Sequence, residues 1–536
     1  MTNDGNQRGG RRRRLAGGRF CLEPGGSTLA RPEVRVQFCR SDLGLGRRAM
    51  VRAASGEAFR LGVPAWGAAL ILIGAAWAVG AESRTAELSS LSARPAPPWL
   101  TQGVVYQIWL RSFTPEGTLR AAQARLPAVA DLGATVVYLG PVALADDDPR
   151  PEFWSPRQKA SGTNNPRNPY RIKDYGRVDP EYGTAADLRD FVAAAHKQKL
   201  RVLLDLVYLH CGPTSTLADK PGFIQRDASG RFVTGPWNFP LLSYECRELR
   251  EYLWSDMERW VKEFGVDGFR CDVADGVPLD FWEAARDRLQ KLRPDLVMLS
   301  EGQRAADQLK AFDLNYGFSW YDAASAVLAR SRPASLLREV WERQRAERPR
   351  GARLLRYADN HDLANDMRRP DVLFGRGAAQ ALSVVHFTLD GVPMLYNGQE
   401  IGDTSLHSIY AHWPIRWEAA CLPTQQATLD FHRQLCRLRR TQRALHGGEV
   451  VWIGHDQPDA VVAFERRAGD EAVLSVVNLS NRALPVRLDR RADSSPLRPL
   501  LSRGARLLAA DGKTAFALEG FGFFVSSPGS PARSSP

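Results

Sequence analysis

Cysteine is scarce in this chain: seven occur among 536 residues, Cys21 and Cys39 before a long apolar run and Cys211, Cys246, Cys271, Cys421 and Cys436 after it. An odd number cannot all pair and no Cys-x-x-Cys is present, so neither a disulfide-stapled scaffold nor a zinc ribbon fits. Two pairings stay open in an oxidising compartment, Cys211 with Cys246 and Cys421 with Cys436. A basic surface is missing where a nucleic-acid reader would need one. Of the net charge of +12, +8 falls in residues 1–60, where 13 arginines and no lysine face five acids, leaving about +4 for everything else. No nucleic-acid partner is expected. The same 60 residues lack hydrophobic periodicity and read as a disordered Arg-rich N-terminus or an over-long start.

One stretch is apolar enough to enter a bilayer. Residues 61–81 carry no charge and centre on Ala68–Val79. Small residues at Ala78-Val79-Gly80-Ala81 suit a signal peptide read from Met50, whereas the length suits a membrane anchor. Both fates place the Arg-rich flank inside and export the rest, so a periplasmic or extracellular location is expected, with membrane contact only through residues 61–81. Residues 82–99, with Pro95, Pro97 and Pro98, read as a linker.

From residue 100 to 445 short apolar strands alternate with amphipathic helices, the pattern of parallel β/α units. Strands are predicted at 104–108, 135–139, 202–207, 267–271, 296–300, near 311–314, 353–358 and 393–396. Helices are predicted at 119–132, 185–198 with Thr184 as N-cap, 248–264 and 429–445, the last with Arg437, Arg439 and Arg440 on a solvated face. Eight such units point to a closed (β/α)8 TIM barrel, whose functional groups sit at the carboxyl ends of its strands. A long insert at 143–182 and a short one at 211–243 interrupt it. In the short insert Phe223, Phe232, Trp237 and Phe239 either line a binding groove or pack a small satellite core, and packing is the preferred reading. Runs at 449–453, 460–465, 472–479 and 516–525 alternate like half-buried strands and predict a C-terminal antiparallel β-sandwich over 446–528, with 529–536 as a tail.

Four predicted strand ends carry polar side chains that a packed barrel would otherwise avoid. Asp205 and His210 follow Val202–Leu204; Arg270 and Asp272 lie two apart after Gly268-Phe269; Glu301 follows Leu299-Ser300; His361 and Asp362 follow Tyr357–Asn360. In a strand, residues two apart share a face, so Arg270 and Asp272 point inward together while Phe269 and Cys271 face the helical shell. Buried charges at that spacing need partners, and a common site at one end of the barrel supplies them.

These four segments, in this order, resemble the signature segments of the α-amylase family, glycoside hydrolase family 13. Asn168-Pro169-Tyr170 and Asp174–Thr184 resemble its aromatic-rich segment, and Gly391–Glu400 its segment at strand eight, read as structural. The resemblance implies a retaining hydrolase acting on α-linked glucans or oligosaccharides through a covalent glycosyl-enzyme. Asp272 would be its nucleophile, Glu301 its general acid/base and Asp362 a third catalytic carboxylate that binds sugar hydroxyls. Tyr170, His210, Arg270 and His361 would bind substrate, with Asp205 supporting Arg270. The Arg270 charge is expected to keep Asp272 ionised, and an apolar setting to keep Glu301 protonated. The family commonly places a calcium-ligating Asn just before the first-segment His, where this chain has Leu209. Leucine offers no oxygen to a hard cation, so no cofactor and no metal site is expected there. A transglycosylase of the same fold and a membrane-tethered, non-catalytic amylase-like subunit remain the alternatives.

Overall fold

The computed structural model describes residues 88–491, 497–508 and 512–528, all within one compact unit beginning at Ala81. The Arg-rich N-terminus, the apolar run 61–81, the start of the linker and the tail 529–536 lie outside the described residues. Among the described residues no helix is long and apolar enough to cross a membrane.

Eight parallel strands close into a barrel: β1 (Val105–Ile108), β2 (Val136–Leu139), then, after an antiparallel ribbon of β3 (Ala143–Ala145) and β4 (Ile172–Val178), β5 (Arg201–Leu206), β6 (Gly268–Cys271), β7 (Val297–Ser300), β8 (Leu314–Tyr316), β9 (Leu354–Tyr357) and β10 (Val392–Tyr396). Their order around the barrel is β1-β10-β9-β8-β7-β6-β5-β2, closing on β1. Alternation along each strand separates two cores. Val105, Tyr138, Leu203, Leu299, Leu355 and Met394 belong to the cluster that fills the barrel. Tyr106, Val137, Leu204, Phe269, Cys271 and Met298 join the larger cluster under the helices. Gly268 is dictated by close approach, because a Cβ there would stand 2.0 Å from the Val297 carbonyl oxygen of the neighbouring strand.

Helices lie close to where the apolar period put them. Thr184 caps Ala185–Lys197 in a full capping box with Asp187, and Leu119–Leu132 stops at Gly133, whose φ of 100° is left-handed. Three expectations need correction. The sixth strand is Leu314–Tyr316 and not 311–314: Ala311 to Asp313 are the approach, with the Asp313 amide donating to the Met298 carbonyl. Residues 92–99 are not a free linker, since Ala93 and Arg94 donate backbone bonds to Arg350 and Gln308, and Ala96 and Trp99 pack on the barrel-filling cluster. Arg439, on the helix Pro423–Thr441, is fully buried and donates to the Thr101 and Gly391 carbonyls at 2.8 Å, tying that helix to the barrel. The helical pattern marked it as solvated because the sequence does not show which carbonyls lie opposite.

The C-terminal sheet comprises β11 (Glu449–Trp452), β12 (Val461–Ala468), β13 (Glu471–Asn478), β14 (Leu484–Arg491), β15 (Leu497–Leu508) and β16 (Lys513–Pro528), in the order β11-β12-β13-β16-β14 with β15 also on β16. The expected sandwich is thus a single antiparallel sheet. The long β16 contributes Phe516, Leu518 and Phe524 to one core with residues of β12, β13 and β14. The opposite face, with Phe464, Val477 and Phe523, joins the barrel's core, and the helix Gly375–Thr388 packs on β13 and β16. All five described cysteines are free thiols, so neither pairing forms. The Cys246 thiol donates to Glu248 and that of Cys421 to the Glu418 carbonyl, while Cys211 and Cys436 are buried in the core.

Candidate active site

The four strand-end segments converge at the carboxyl mouth of the barrel around one cation. Arg270, fully buried at the end of β6, donates from Nη1 to Asp205 Oδ1 at 2.7 Å and to Asp272 Oδ1 at 2.9 Å, and its Nη2 lies 2.6 Å from Glu301 Oε1. Strand register explains the meeting: Asp205 stands opposite Arg270 on β5, and Glu301 follows β7, whose Leu299 is level with Arg270. The guanidinium is ringed by Tyr138, Tyr170 and Tyr316, with centroids 5.6–5.9 Å away. Tyr138 and Tyr170 both donate to Asp205 Oδ2, at 2.8 and 3.0 Å, which leaves Asp205 saturated beneath the site. Asp267, which opens the same segment as Asp272, is held by Arg201, Arg293 and His196 and belongs to the structural scaffold.

A second set hangs from β9. The sequence Asn360-His361-Asp362 starts a short helix, His361–Asn365, capped by the Asn360 side chain, which fixes the two following residues at the mouth. The rings of His361, Trp109 and Tyr170 form a cluster, with Trp109 5.1 Å and Tyr170 5.5 Å from His361 and 6.0 Å from each other. Its Nδ1 lies 2.7 Å from Gln107 Nε2, so the amide donates there and the proton sits on Nε2, facing the Tyr170 hydroxyl at 2.6 Å. The Tyr170 hydroxyl in turn donates its own hydrogen bond to Asp205. Asp362 pairs with Arg157, which also reaches Asp366 at 3.0 Å, and its Oδ2 is 3.5 Å from His361 Nε2.

His210 is brought to the same mouth in a different manner. Its Nε2–H donates to the Tyr170 carbonyl at 3.0 Å, its Nδ1 is buried without a protein partner, and Trp237 and Phe239 flank the ring. Burial pulls its pKa down to about 4, so it is neutral. The aromatics of the short insert therefore divide: Phe223 and Phe232 pack on the larger cluster under the helices and not in a satellite core of their own, whereas Trp237 and Phe239 flank His210.

Burial raises the Asp272 carboxyl well above its usual range despite Arg270, with Glu301 and Asp205 adding to the effect. This runs against the expectation that the Arg270 charge would keep Asp272 ionised: one guanidinium serves Asp205, Asp272 and Glu301 together, and desolvation outweighs its share at Asp272 and Glu301. Glu301 is also raised, chiefly by burial, although the Val273 amide donates to its Oε2 at 2.8 Å. Val273 adopts φ 42°, a left-handed conformation costly for a β-branched residue, and so turns that N–H toward Glu301. Asp362 goes the other way: burial works to raise it, but His361, Arg157 and Arg270 together hold it low. The arrangement can hold a proton between two buried carboxyls while a third stays ionised.

The model of the alpha-amylase catalytic domain matches residues 82–222 and 235–435. The chain belongs to the alpha-amylase family. The unmatched residues 223–234 fall inside the short insert. This amylase-family chain is 28% identical over 468 residues to "Alpha-amylase MalA" of Haloarcula japonica, covering 83% of this chain and 65% of that protein. It is 25% identical over 459 residues to a cyclomaltodextrinase of Geobacillus thermopakistaniensis, covering 74% and 72%. Among solved structures, a noncanonic maltogenic α-amylase, AmyB from Thermotoga neapolitana, superposes with a TM-score of 0.68 at 26% identity, over 80% of this chain and 99% of that one.

Every residue predicted for the site lies at this mouth. Four neighbours were missed. Gln107, Trp109 and Tyr316 sit on or beside barrel strands that read as plain apolar runs, and Arg157 lies in an insert with no periodic signal. Leu209 packs over Gly276, where a Cβ would meet its Cδ atoms at 3.0 Å, so the place where the family commonly ligates calcium presents hydrocarbon and does not fit that ion.

Proposed function

We propose that this amylase-type glycoside hydrolase cleaves α-glucosidic bonds of glucans or oligosaccharides by double displacement, with Asp272 as nucleophile, Glu301 as general acid/base and Asp362 as a hydroxyl-binding carboxylate. The observation that carries the reading is the meeting of Asp272 and Glu301 on Arg270 beside Asp362 and His361. Two carboxyls on one guanidinium favour the close spacing of a retaining pair, roughly 5–5.5 Å. Burial of both favours a single shared proton, and double displacement needs one ionised and one protonated partner. Tyr170, which stacks on His361, offers an aromatic face to the sugar's C–H surface, His361 serves sugar hydroxyls beside Asp362, and the neutral imidazole of His210 does so without adding charge. Asp205 holds Arg270 in register. The names of the relatives are those of hydrolases and support hydrolysis over transfer to a second sugar and over a non-catalytic scaffold.

We also propose that the enzyme works without calcium at Leu209 and is exported through residues 61–81. The deciding experiment offers the full chain starch, maltoheptaose, a cyclomaltodextrin, trehalose and sucrose, with Asp272→Asn alongside. Turnover lost in the variant establishes the reading and identifies the substrate; a folded protein that turns over none of them refutes it.

A further inference from the structure

The insert after β2 crosses the barrel mouth. In the closed barrel, β2 is separated from β9 by β1 and β10, yet residues 155–167 reach the segments after both β10 and β9. The Ser155 hydroxyl meets the Tyr410 hydroxyl at 3.3 Å, Asn165 Nδ2 donates to the Tyr410 carbonyl at 2.8 Å, and Arg111 joins the Arg167 and Ile409 carbonyls. Ile409 in turn donates its amide to Asn365 on the β9 side. The outermost tie is Arg157, which grips Asp362 with Nη1 and Asp366 with Nη2. Asp362 and Asp366 are four apart, on one face of the short helix His361–Asn365 and its cap, so the two ends of the planar guanidinium each take one carboxylate in a fixed geometry. This quadrant of the mouth is therefore walled, and the wall ends on the carboxylate assigned above to sugar hydroxyls.

Resting on that assignment, we propose that Arg157 is a specificity-determining residue: it closes one end of the sugar site, so that the enzyme accepts α-glucan chain ends and releases short products of one length. A glucan running through the cleft would have to pass where the Arg157 guanidinium joins the two carboxylates. A terminal sugar has no further unit to place there. Its hydroxyls take over part of Asp362, and Arg157, still anchored by Asp366, donates its released N–H to the same sugar.

The test uses the full chain on maltoheptaose and long amylose, reading product lengths at early times and the fall in iodine staining per new reducing end. The wild type is expected to give one short product and little early loss of staining. Arg157→Ala should give mixed lengths and a steep early loss, and Arg157→Lys should fall between. Asp366→Asn loosens the anchor without touching Asp362 and should shift the pattern in the same direction, which covers the case in which Arg157→Ala folds poorly. A merely structural Arg157 would change the amount of active protein but not product length. Mixed products from the wild type, or one pattern shared by the wild type and all variants, overturns the proposal. If the folded wild type turns over no α-glucoside, the functional reading fails first and this inference with it.

Discussion

At the scale of single residues the site is built around a shortage of positive charge. Arg270 neutralises part of Asp205, Asp272 and Glu301 at once. Removing it leaves buried carboxylates without a cation, and Arg270→Met is expected to cost roughly 3–5 kcal/mol in urea unfolding, beyond abolishing activity. Asp272 and Glu301, both raised above their unfolded values, take up protons on folding, so the stability they contribute falls as pH rises from the unfolded pKa through the folded one. Glu301→Gln should therefore raise the melting temperature at neutral pH while lowering kcat on a glucan by roughly 10²–10⁴. A glucosyl fluoride, whose leaving group needs no proton, should recover much of that loss. Asp362 has the opposite sign: its depressed pKa contributes stability above the unfolded value that is lost only as pH falls through the folded one. An acid-unfolding series should show Asp362→Asn narrowing its gap to the wild type below about pH 4.

At the scale of elements, short strands place the chemistry and caps hold the strands' successors in register. Gly268→Ala would drive a methyl group into the Val297 carbonyl and break the β6–β7 pairing that brings Asp272 to Glu301. The expected outcome is a drop in soluble yield and a lower melting temperature, with a loss of roughly 1–3 kcal/mol or more. Thr184→Ala removes a capping box far from the mouth and should cost about 1 kcal/mol without changing product lengths. The pair separates loss of fold from loss of site.

At the scale of the whole molecule, barrel and C-terminal sheet share one core, since Phe464, Val477 and Phe523 pack in the same cluster as the barrel's helices. Thermal unfolding monitored by tryptophan fluorescence and by far-UV dichroism should accordingly give coincident transitions. Metal chelation should leave that transition and the activity unmoved; a fall in either would show a calcium site elsewhere.

Most of the architecture was legible in the sequence, because a buried parallel strand announces itself as a short apolar run and an amphipathic helix by its 3.6-residue period. The inward aim of Arg270 and Asp272 followed from strand alternation, and the grouping of Asp205, Glu301, His361 and Asp362 from their places at strand ends. What the sequence could not fix depends on distance through space. β15 went unnoticed because it alternates weakly and is held by pairing with β16, whereas β14 was overlooked although Leu484, Val486 and Leu488 alternate with Pro485, Arg487 and Asp489. Arg439 looked solvated until the Thr101 and Gly391 carbonyls were found beside it. Tertiary structure also decided that one guanidinium is shared among three acids, so that burial overrides Arg270 at Asp272. It placed Arg157, from an aperiodic insert, on Asp362. Covalent order sets which groups arrive at the barrel mouth; only packing sets how many partners each finds there, and so its charge.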